Sequence, residues 1–495
     1  MARMAFDNSY AGLPGSFYAR VLPSSASEPH LVKLNRELAC QLGLDPDELA
    51  TPDGIEVLAG KRIPTGADPI ATVYAGHQFG NFTPQLGDGR AILLGELIGR
   101  DGVRRDIQLK GSGRTPFSRG GDGRAALGPV LREYLVSEAM AALGLPTTRA
   151  LAAVTTGEAV LRETELPGAV LTRVATSHIR VGTFQFFAAR GDTEAVRRLA
   201  DYAIERHYPE AARAAQPYRA FLEGVIERQA RLVARWMLIG FIHGVMNTDN
   251  MSISGETIDY GPCAFMDAYD PGTVFSSIDQ YGRYAYANQP GIAQWNLARL
   301  TECLLPLLRG SPEEALTQGR EILGSFAPIF HAAHLDGLRR KLGLATERDD
   351  DLALAQDLLD RMASGKADFT LTFRRLCDAA ADSGRDRDVR DLFIDPTAYD
   401  GWAGRWRSRL AEESAQGQGQ GQERGAAMRA VNPAFIPRNY RVEEAIKAAV
   451  EDRNFTPFER LGAVLTRPYD DQPAFSAYAD PPPFDSGAYR TFCGT

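Results

Sequence analysis

Cysteines, long apolar runs and excess positive charge are all scarce in this sequence. Residues 236–246, its most apolar run, are too few to span a bilayer, and residues 1–12 lack the apolar segment of a signal peptide. Five cysteines, an odd number in 495 residues, argue against a disulfide scaffold. A net charge of −8 gives no overall attraction to nucleic acid or anionic membranes. We therefore expect a cytoplasmic protein that binds neither nucleic acid nor membrane, and we expect a monomer.

The remaining composition is that of an ordinary globular protein, with 44% hydrophobic and 24% charged residues. The sequence predicts a helix around 31–42, strands at 91–97 and 105–110, and a helix from Pro129 to Leu143. Beyond residue 190 the pattern is mostly helical. A strand-rich first part followed by a helical second part predicts an α+β fold with two lobes.

One stretch contains residue types that phosphate-transfer enzymes use, and it reads His243-Gly244-Val245-Met246-Asn247-Thr248-Asp249-Asn250, followed by Asp259-Tyr260-Gly261. It resembles the H-R-D-x-x-x-x-N and D-F-G motifs of protein kinases. There the first Asp accepts the substrate proton, and the Asn and the second Asp hold Mg²⁺. When the two are aligned on His243 and Asn250, the base position falls on Val245, which cannot accept a proton. A carboxylate returns at Asp249.

Asn250 and Asp259 keep the oxygen ligands that Mg²⁺ prefers. The short apolar turn 251–253 predicts that they lie on facing strands. Taken singly, each is more often an Asn in a turn or a loop signal. Together, after a buried helix, they favour a metal–nucleotide site that does not transfer phosphate in the usual way.

A lysine on a strand and a glutamate on the next helix complete the order found in kinases. Lys110 ends its predicted strand, and Glu133 lies on the helix begun by Pro129. Glu138 is the rival, but it lies about 140° around the helix, so only one of the two can face the lysine. We favour Glu133 because it is closer to the glycine-rich loop that precedes the helix.

Glycines and arginines are interleaved on either side of this lysine. Gly87, Gly89 and Arg90 form a short G-x-G segment that a hairpin turn would equally explain. Residues 104–132 carry seven Lys or Arg and two Asp, a local charge of +5, and include an Asp122-Gly123 turn. A solvated face is the ordinary explanation of a charge run. Flexible backbone beside arginine suits polyphosphate binding better. On sequence alone, Arg173 and Arg180 would be surface residues.

Taken in order, these residues resemble the selenoprotein O (SelO) family of pseudokinases. The resemblance runs from Tyr74 to the C-terminus, and its motifs are Tyr74-Ala75-Gly76-His77-Gln78-Phe79-Gly80, Gln85 to Arg90, Gln108 to Gly113, His243 to Met251, Asp259 to Pro262, Asn432-Pro433 and Pro437 to Tyr440. It implies a two-lobed, protein-kinase-like fold with extensions at both ends. The implied segments are an N-terminal extension (1–65), an N-lobe (66–150), a C-lobe (151–410), a flexible low-complexity loop (411–427) and a C-terminal extension (428–495).

The resemblance also implies an activity. The family transfers AMP from ATP to Ser, Thr or Tyr hydroxyls of proteins and releases pyrophosphate; transfer of UMP from UTP with Mn²⁺ is ascribed to bacterial members. The nucleotide is flipped relative to a kinase, which leaves the base position at Val245 without a task. The resemblance implies that Asn250 and Asp259 are the ligands of Mg²⁺ or Mn²⁺, that Asp249 is the proton acceptor and that Glu133 is the partner of Lys110. The implied nucleotide contacts are Gly87, Gly89, Arg90, Lys110, Asp122, Gly123, Arg173, Arg180 and Asp259.

The family's C-terminal selenocysteine or cysteine corresponds to Cys493. In some members it forms a disulfide with a cysteine of the activation-loop region. Here that region, residues 271–276, has none, and Cys263 is the only nearby candidate.

Two other functions remain. The first is an ordinary kinase for proteins or small molecules, against which Val245 argues. The second is an inactive nucleotide-binding module, against which Asn250 and Asp259 argue.

Overall fold

The computed structural model describes residues 4–417, 421–483 and 490–491. Its strands are β1 (Tyr18–Arg20), β2 (His30–Leu34), β3 (Ile70–Thr72), β4 (Gly76–Gln78), β5 (Asn81–Thr83), β6 (Ala91–Ile98), β7 (Arg104–Lys110), β8 (Ala125–Ala126), β9 (Arg149–Leu161), β10 (Glu165–Ala175), β11 (Phe241–Ile242) and β12 (Ala264–Phe265). Its helices are α1 (Arg36–Gln41), α2 (Pro46–Leu49), α3 (Pro52–Leu58), α4 (Leu127–Ala142), α5 (Val181–Ala188), α6 (Thr193–His207), α7 (Pro217–Leu238), α8 (Gln289–Leu304), α9 (Pro312–Gly324), α10 (Phe326–Lys341), α11 (Asp351–Gly365), α12 (Phe369–Ala381), α13 (Asp386–Arg390), α14 (Thr397–Ala415), α15 (Gly421–Arg429), α16 (Asn439–Glu451) and α17 (Thr456–Leu465).

The order of elements confirms the α+β class. Most strands precede residue 176 and most helices follow it. Within the described ranges, none of the helices has the length and apolar composition needed to cross a bilayer.

The main sheet places β7 at its centre. Its strand order is β1-β3-β6-β7-β10-β9-β2, with β8 also paired to β10, and neighbouring strands are antiparallel. Because side chains alternate along a strand, Ile107 and Leu109 enter a core shared with α1–α3, while Gln108 and Lys110 point to the opposite face. On that face α4 packs against the sheet, and α16 and α17 pack against α4.

Two strand predictions are confirmed and one helix prediction is partly wrong. The runs 91–97 and 105–110 lie in β6 and β7. The helix expected around 31–42 is a strand in its first part, since residues 30–34 pair with β9 and this tertiary pairing outweighs helical periodicity. The helix begins at Arg36, where the Asn35 side chain accepts from the Leu38 N–H at 3.0 Å.

The predicted helix from Pro129 begins two residues earlier, at Leu127, and ends at Ala142. Proline is tolerated there because the N–H groups of a first helical turn have no partner within the helix. Gly144 follows the end of the helix in the left-handed conformation, with a φ of 77°, which glycine adopts without the strain that a side chain would cause.

The expected flexible loop at 411–427 is largely helical, because α14 extends to Ala415 and α15 starts at Gly421. Residues 418–420 lie outside the described part. Polar anchors hold the two helices: the buried Glu413 accepts from Arg409 at 2.5 Å and from Arg424 at 3.2 Å. The absence of apolar residues predicted a loop here, but this network is polar.

Helix α7 crosses the helical core and leads into the segment that contains His243 to Asn250. It packs against α8 and α10 and ends at Leu238. Gly240 adopts φ of 72°, and Phe241 enters β11, which pairs with β12. The segment between these short strands, residues 243–263, contains the motif that resembles a kinase catalytic loop.

Candidate active site

The predicted nucleotide and metal residues line one cavity of about 670 Å³. They are Gly87, Gly89, Arg90, Lys110, Asp122, Gly123, Arg173, Arg180, Asp249, Asn250 and Asp259. Glu133 lies behind Lys110 rather than on the wall. The cavity therefore joins segments that are up to 172 residues apart in sequence, between Gly87 and Asp259.

Two glycine-rich segments pack against each other to form one wall. A Cβ atom at Gly87 would lie 2.6 Å from Phe117 Cγ, and one at Gly89 would lie 2.9 Å from the Phe117 carbonyl oxygen. The Thr115 hydroxyl donates to the Asp88 carbonyl at 2.6 Å, and the Ser118 hydroxyl donates to the Gly89 carbonyl. Glycine is required at both positions, because the Phe117 side chain fills the space beside Gly87 and the Phe117 backbone fills the space beside Gly89.

Lys110, Glu133 and Arg173 form a buried charge cluster. Lys110 Nζ lies 2.5 Å from Glu133 Oε2, and Arg173 Nε lies 2.5 Å from Glu133 Oε1. Burial lowers the pKa of Lys110 to about 8, against the opposing effect of Glu133. Burial alone would raise the pKa of Glu133, but the Arg173 and Lys110 cations outweigh it and hold that pKa below its usual value.

The rival Glu138 faces away from the lysine. Its carboxylate accepts from Arg149 at 2.7 and 2.9 Å, from the Ala150 N–H at 2.8 Å and from Asn35 at 2.7 Å. Glu138 thus joins α4 to β9, while Glu133 makes the predicted ion pair with Lys110.

Asp259 connects the sheet to the helical part. Its Oδ1 accepts from Arg173 at 2.7 Å, and its Oδ2 accepts from Arg180. Burial opposes ionisation, but Arg180, Arg173 and Lys110 hold the pKa of Asp259 well below its usual range. Its φ of 60° is unusual for a residue other than glycine, and such strained backbone clusters at functional sites.

Asp249 lies in a single turn of 3₁₀ helix, Thr248–Asn250. Its Oδ2 accepts from Gln78 Nε2 at 3.1 Å, and its carbonyl accepts from Arg180 at 2.6 Å. Its Oδ1 is buried and has no hydrogen-bond partner among the described residues. Burial raises the pKa of Asp249 to about 6, although Arg180 and Gln78 act in the opposite direction. This carboxylate is therefore poised to exchange a proton near neutral pH.

The expectation of facing strands for Asn250 and Asp259 is wrong. Asn250 ends the 3₁₀ turn, and Asp259 lies in a loop before β12. Local hydrogen bonds set both positions instead: Asn250 Nδ2 donates to the Val245 carbonyl at 2.9 Å, and His243 Nε2 lies 2.9 Å from the Ile258 carbonyl.

The donor chemistry of the site fits a hard divalent cation. Asn250 directs its amide nitrogen to Val245, which leaves the amide oxygen as the ligand atom, and Asp259 adds a carboxylate. Within the part of the chain that the structure describes, no cluster of three or more His, Cys, Asp or Glu side chains is arranged to hold a metal. A cation with few protein ligands and several phosphate oxygens is the usual arrangement for Mg²⁺.

Several wall residues were not predicted individually. Seven cations and four carboxylates line the cavity. The cations are Arg90, Lys110, Arg119, Arg124, Arg162, Arg173 and Arg180, and the carboxylates are Asp88, Asp122, Asp249 and Asp259. Arg162, which pairs with Asp122 at 2.8 Å, follows β9 and reaches the cavity only through the β9–β10 hairpin. Gln78 lies in the Tyr74–Gly80 motif, which supported the family resemblance but was assigned no role in the site. Arg119 and Arg124 belong to the basic run, which was the available signal.

The C-terminal part of the chain reaches the segment after Asp259. The Thr491 hydroxyl donates to the Pro262 carbonyl at 2.5 Å, and the Thr491 backbone pairs with Phe275 at 2.8 Å and Ser277 at 2.9 Å. Cys263 is buried. Cys493 lies outside the described residues, so its predicted pairing with Cys263 stays a prediction.

Comparisons with known proteins show which family the chain belongs to. The family model described as "Protein adenylyltransferase SelO" matches residues 1–466. The chain is 68% identical over 490 residues to a protein nucleotidyltransferase YdiU of Bradyrhizobium diazoefficiens, covering 99% of each chain. It is 67% identical over 500 residues to the protein of the same name from Methylorubrum extorquens, covering 100% of each. The chain therefore belongs to the protein adenylyltransferase SelO family.

Proposed function

We propose that this protein transfers AMP from ATP to Ser, Thr or Tyr hydroxyls of other proteins and releases pyrophosphate. One observation carries the proposal: a cation-rich cavity contains Asp249 on its wall, while the position of the kinase base is occupied by Val245. An ordinary kinase would need a proton acceptor at Val245. An inactive binding module would not need a buried carboxylate with an unsatisfied oxygen in a nucleotide cavity.

We also propose that the α+β fold is kinase-like, with the cavity between two lobes. The strand–lysine, helix–glutamate and loop–carboxylate order along the chain supports this. The N-lobe predicted at 66–150 is proposed to extend to residue 175 and the C-lobe to run from 176 to 410, because β9 and β10 belong to the same sheet as β7. The segments 1–65 and 428–495 are proposed unchanged, and helices replace most of the loop expected at 411–427.

The residues of the cavity suggest how the nucleotide is held. Lys110, Arg173 and Arg180 are fixed by carboxylates before any nucleotide binds, so little ordering is required when phosphates arrive. Gly87 and Gly89 bring backbone close to the nucleotide because no side chain fits there. Arg90 and the Arg162–Asp122 pair border the same space.

A bound Mg²⁺ or Mn²⁺ would neutralise charge that develops on the phosphates. Asn250 and Asp259 would hold it. Both Asp259 oxygens already accept hydrogen bonds from arginines, Oδ1 from Arg173 and Oδ2 from Arg180. A bound metal would therefore share an Asp259 oxygen with one of these arginines, or that arginine would turn towards a phosphate.

The transfer itself requires one proton acceptor. The acceptor oxygen forms a bond to the α-phosphorus, the bond from the α-phosphorus to the bridging oxygen breaks, and pyrophosphate leaves. The hydroxyl proton passes to Asp249, whose raised pKa of about 6 makes it a better base than an ordinary aspartate.

We further propose that UTP serves as a second nucleotide donor and that Mg²⁺ or Mn²⁺ serves as the cation. The protein is proposed to act as a monomer in the cytoplasm.

Incubation with ATP, Mg²⁺ and a bacterial protein mixture tests the proposed AMP transfer. Mass spectrometry should find AMP on Ser, Thr or Tyr side chains, and D249N should form none. Phosphate on the same side chains, formed at equal rate by D249N, would replace this proposal with a kinase.

A further inference from the structure

The β4–β5 hairpin contacts the loop that contains Asp249 residue by residue. Three consecutive hairpin residues each donate one hydrogen bond to one of three consecutive loop residues: His77 N to Thr248 Oγ1 at 2.7 Å, Gln78 Nε2 to Asp249 Oδ2 at 3.1 Å and Phe79 N to Asn247 Oδ1 at 3.1 Å. The two segments are about 170 residues apart in sequence, as the separations of 171 and 168 show.

The base of the hairpin is fixed. The Ala75 N–H donates to the Gly182 carbonyl at 2.9 Å, and a Cβ atom at Gly182 would lie 2.1 Å from the Ala75 carbonyl oxygen. Phe79 adopts φ of 51°, a strained value for a side-chain residue, and its N–H also donates to the Tyr284 hydroxyl at 3.1 Å. A hairpin held in this way can impose a position on its partner.

The carboxylate of Asp249 is confined between two hairpin residues. Gln78 occupies Oδ2, and a Cβ atom at Gly76 would lie 2.6 Å from Oδ1. The carboxylate therefore has one oxygen held by an amide and the other packed against bare backbone. Oδ1 is buried and accepts no hydrogen bond from the described residues, so the Gln78 amide supplies the hydrogen bond that sets the orientation of this carboxylate.

We propose that Gln78 is a positioning residue, which fixes the orientation in which the Asp249 carboxylate accepts the hydroxyl proton. This role rests on the proposed function of Asp249. It assigns a task to the Tyr74–Gly80 motif, of which Tyr74, Gln78 and Phe79 border the cavity.

Three variants test the role. Gln78→Ala removes the donor, Gly76→Ala places a methyl group against Oδ1, and Asn81→Ala is the control. Asn81 is paired with Gln78 in the register of the hairpin, but its side chain is exposed. AMP transfer and ATP binding are measured for each variant, together with the melting temperature.

Gln78→Ala should lower kcat about tenfold to a hundredfold, the cost of misplacing a reacting group by about 1 Å, with little change in the Kd of ATP. Gly76→Ala should act in the same direction, and Asn81→Ala should behave as wild type. A kcat for Gln78→Ala equal to that of Asn81→Ala would overturn the role. So would a loss of activity that only follows weaker ATP binding or a lower melting temperature.

A crystal structure of Gln78→Ala gives a readout that does not depend on activity. The Asp249 side chain should leave its present rotamer, and an unchanged rotamer would overturn the positioning role even if the wild type transfers AMP. Failure of the wild-type protein to transfer AMP, with the rotamer changed as expected, would instead refute the proposed function.

Discussion

Replacing Glu133 with glutamine tests the charge cluster behind the nucleotide cavity. The change keeps the shape of the side chain but removes the charge shared by Lys110 and Arg173. Leaving a buried cation without its partner costs about 3–5 kcal/mol, and the continuing Arg173–Asp259 pair places this variant at the lower end, about 3 kcal/mol. Urea unfolding should report that loss in the free energy of unfolding.

The same change should weaken ATP binding. Glu133 raises the pKa of Lys110, so its loss should move that pKa below its present value of about 8 and leave the lysine partly neutral at physiological pH. A charged hydrogen bond is worth about 1.5–3 kcal/mol, which corresponds to roughly tenfold to a hundredfold in the Kd of ATP. Calorimetric titration with ATP measures this change, which should grow as the pH rises.

Glu138→Gln is the matched control, one helical turn and a half away on the same helix. Glu138 pairs with Arg149, whose side chain is 30% exposed, and does not border the cavity. This variant should lose some stability and keep its affinity for ATP. Weak ATP binding by Glu138→Gln together with normal binding by Glu133→Gln would refute the assignment.

Three further predictions follow from single contacts. Asn250→Ala and Asp259→Ala should abolish transfer without lowering secondary structure by circular dichroism, and full turnover by either variant would remove that residue from the metal site. Burial lowers the pKa of His207 to about 3. As the pH drops below about 6.5, only the unfolded state binds the proton, so the free energy of unfolding should fall with a slope that approaches 1.4 kcal/mol per pH unit. In His207→Gln this slope should be smaller. Peptide mapping of mildly oxidised protein tests the pairing that the family resemblance implies: a disulfide should join Cys493 to Cys263, and free thiols at both positions, or pairing of Cys493 only between chains, would exclude this intramolecular bond.

The sequence was informative where local pattern decides structure. Helical spacing separated Glu133 from Glu138, and closeness to the glycine-rich loop favoured Glu133 as the partner of Lys110, so the ion pair could be predicted. The helix expected at 31–34 failed because pairing with β9, a contact distant in sequence, decides that segment.

Long-range contacts set the limit for the candidate site. Arg173 could not be placed from sequence, because its position depends on the register of β10 beside β7, where it lies opposite Gln108. Gln78 and Arg162 reach the cavity from hairpins whose packing no local signal reports. Only the family resemblance raised Arg173 and Arg180 above ordinary surface arginines.

The fate of the two ends of ATP's phosphate chain tests the central claim most directly. The protein is incubated in parallel with ATP labelled at the α-phosphate and with ATP labelled at the γ-phosphate. Because Val245 replaces the kinase base and Asp249 borders the cavity, we expect the α label on protein and the γ label in pyrophosphate. Transfer of the γ label to protein, with the α label left in ADP, would contradict the account.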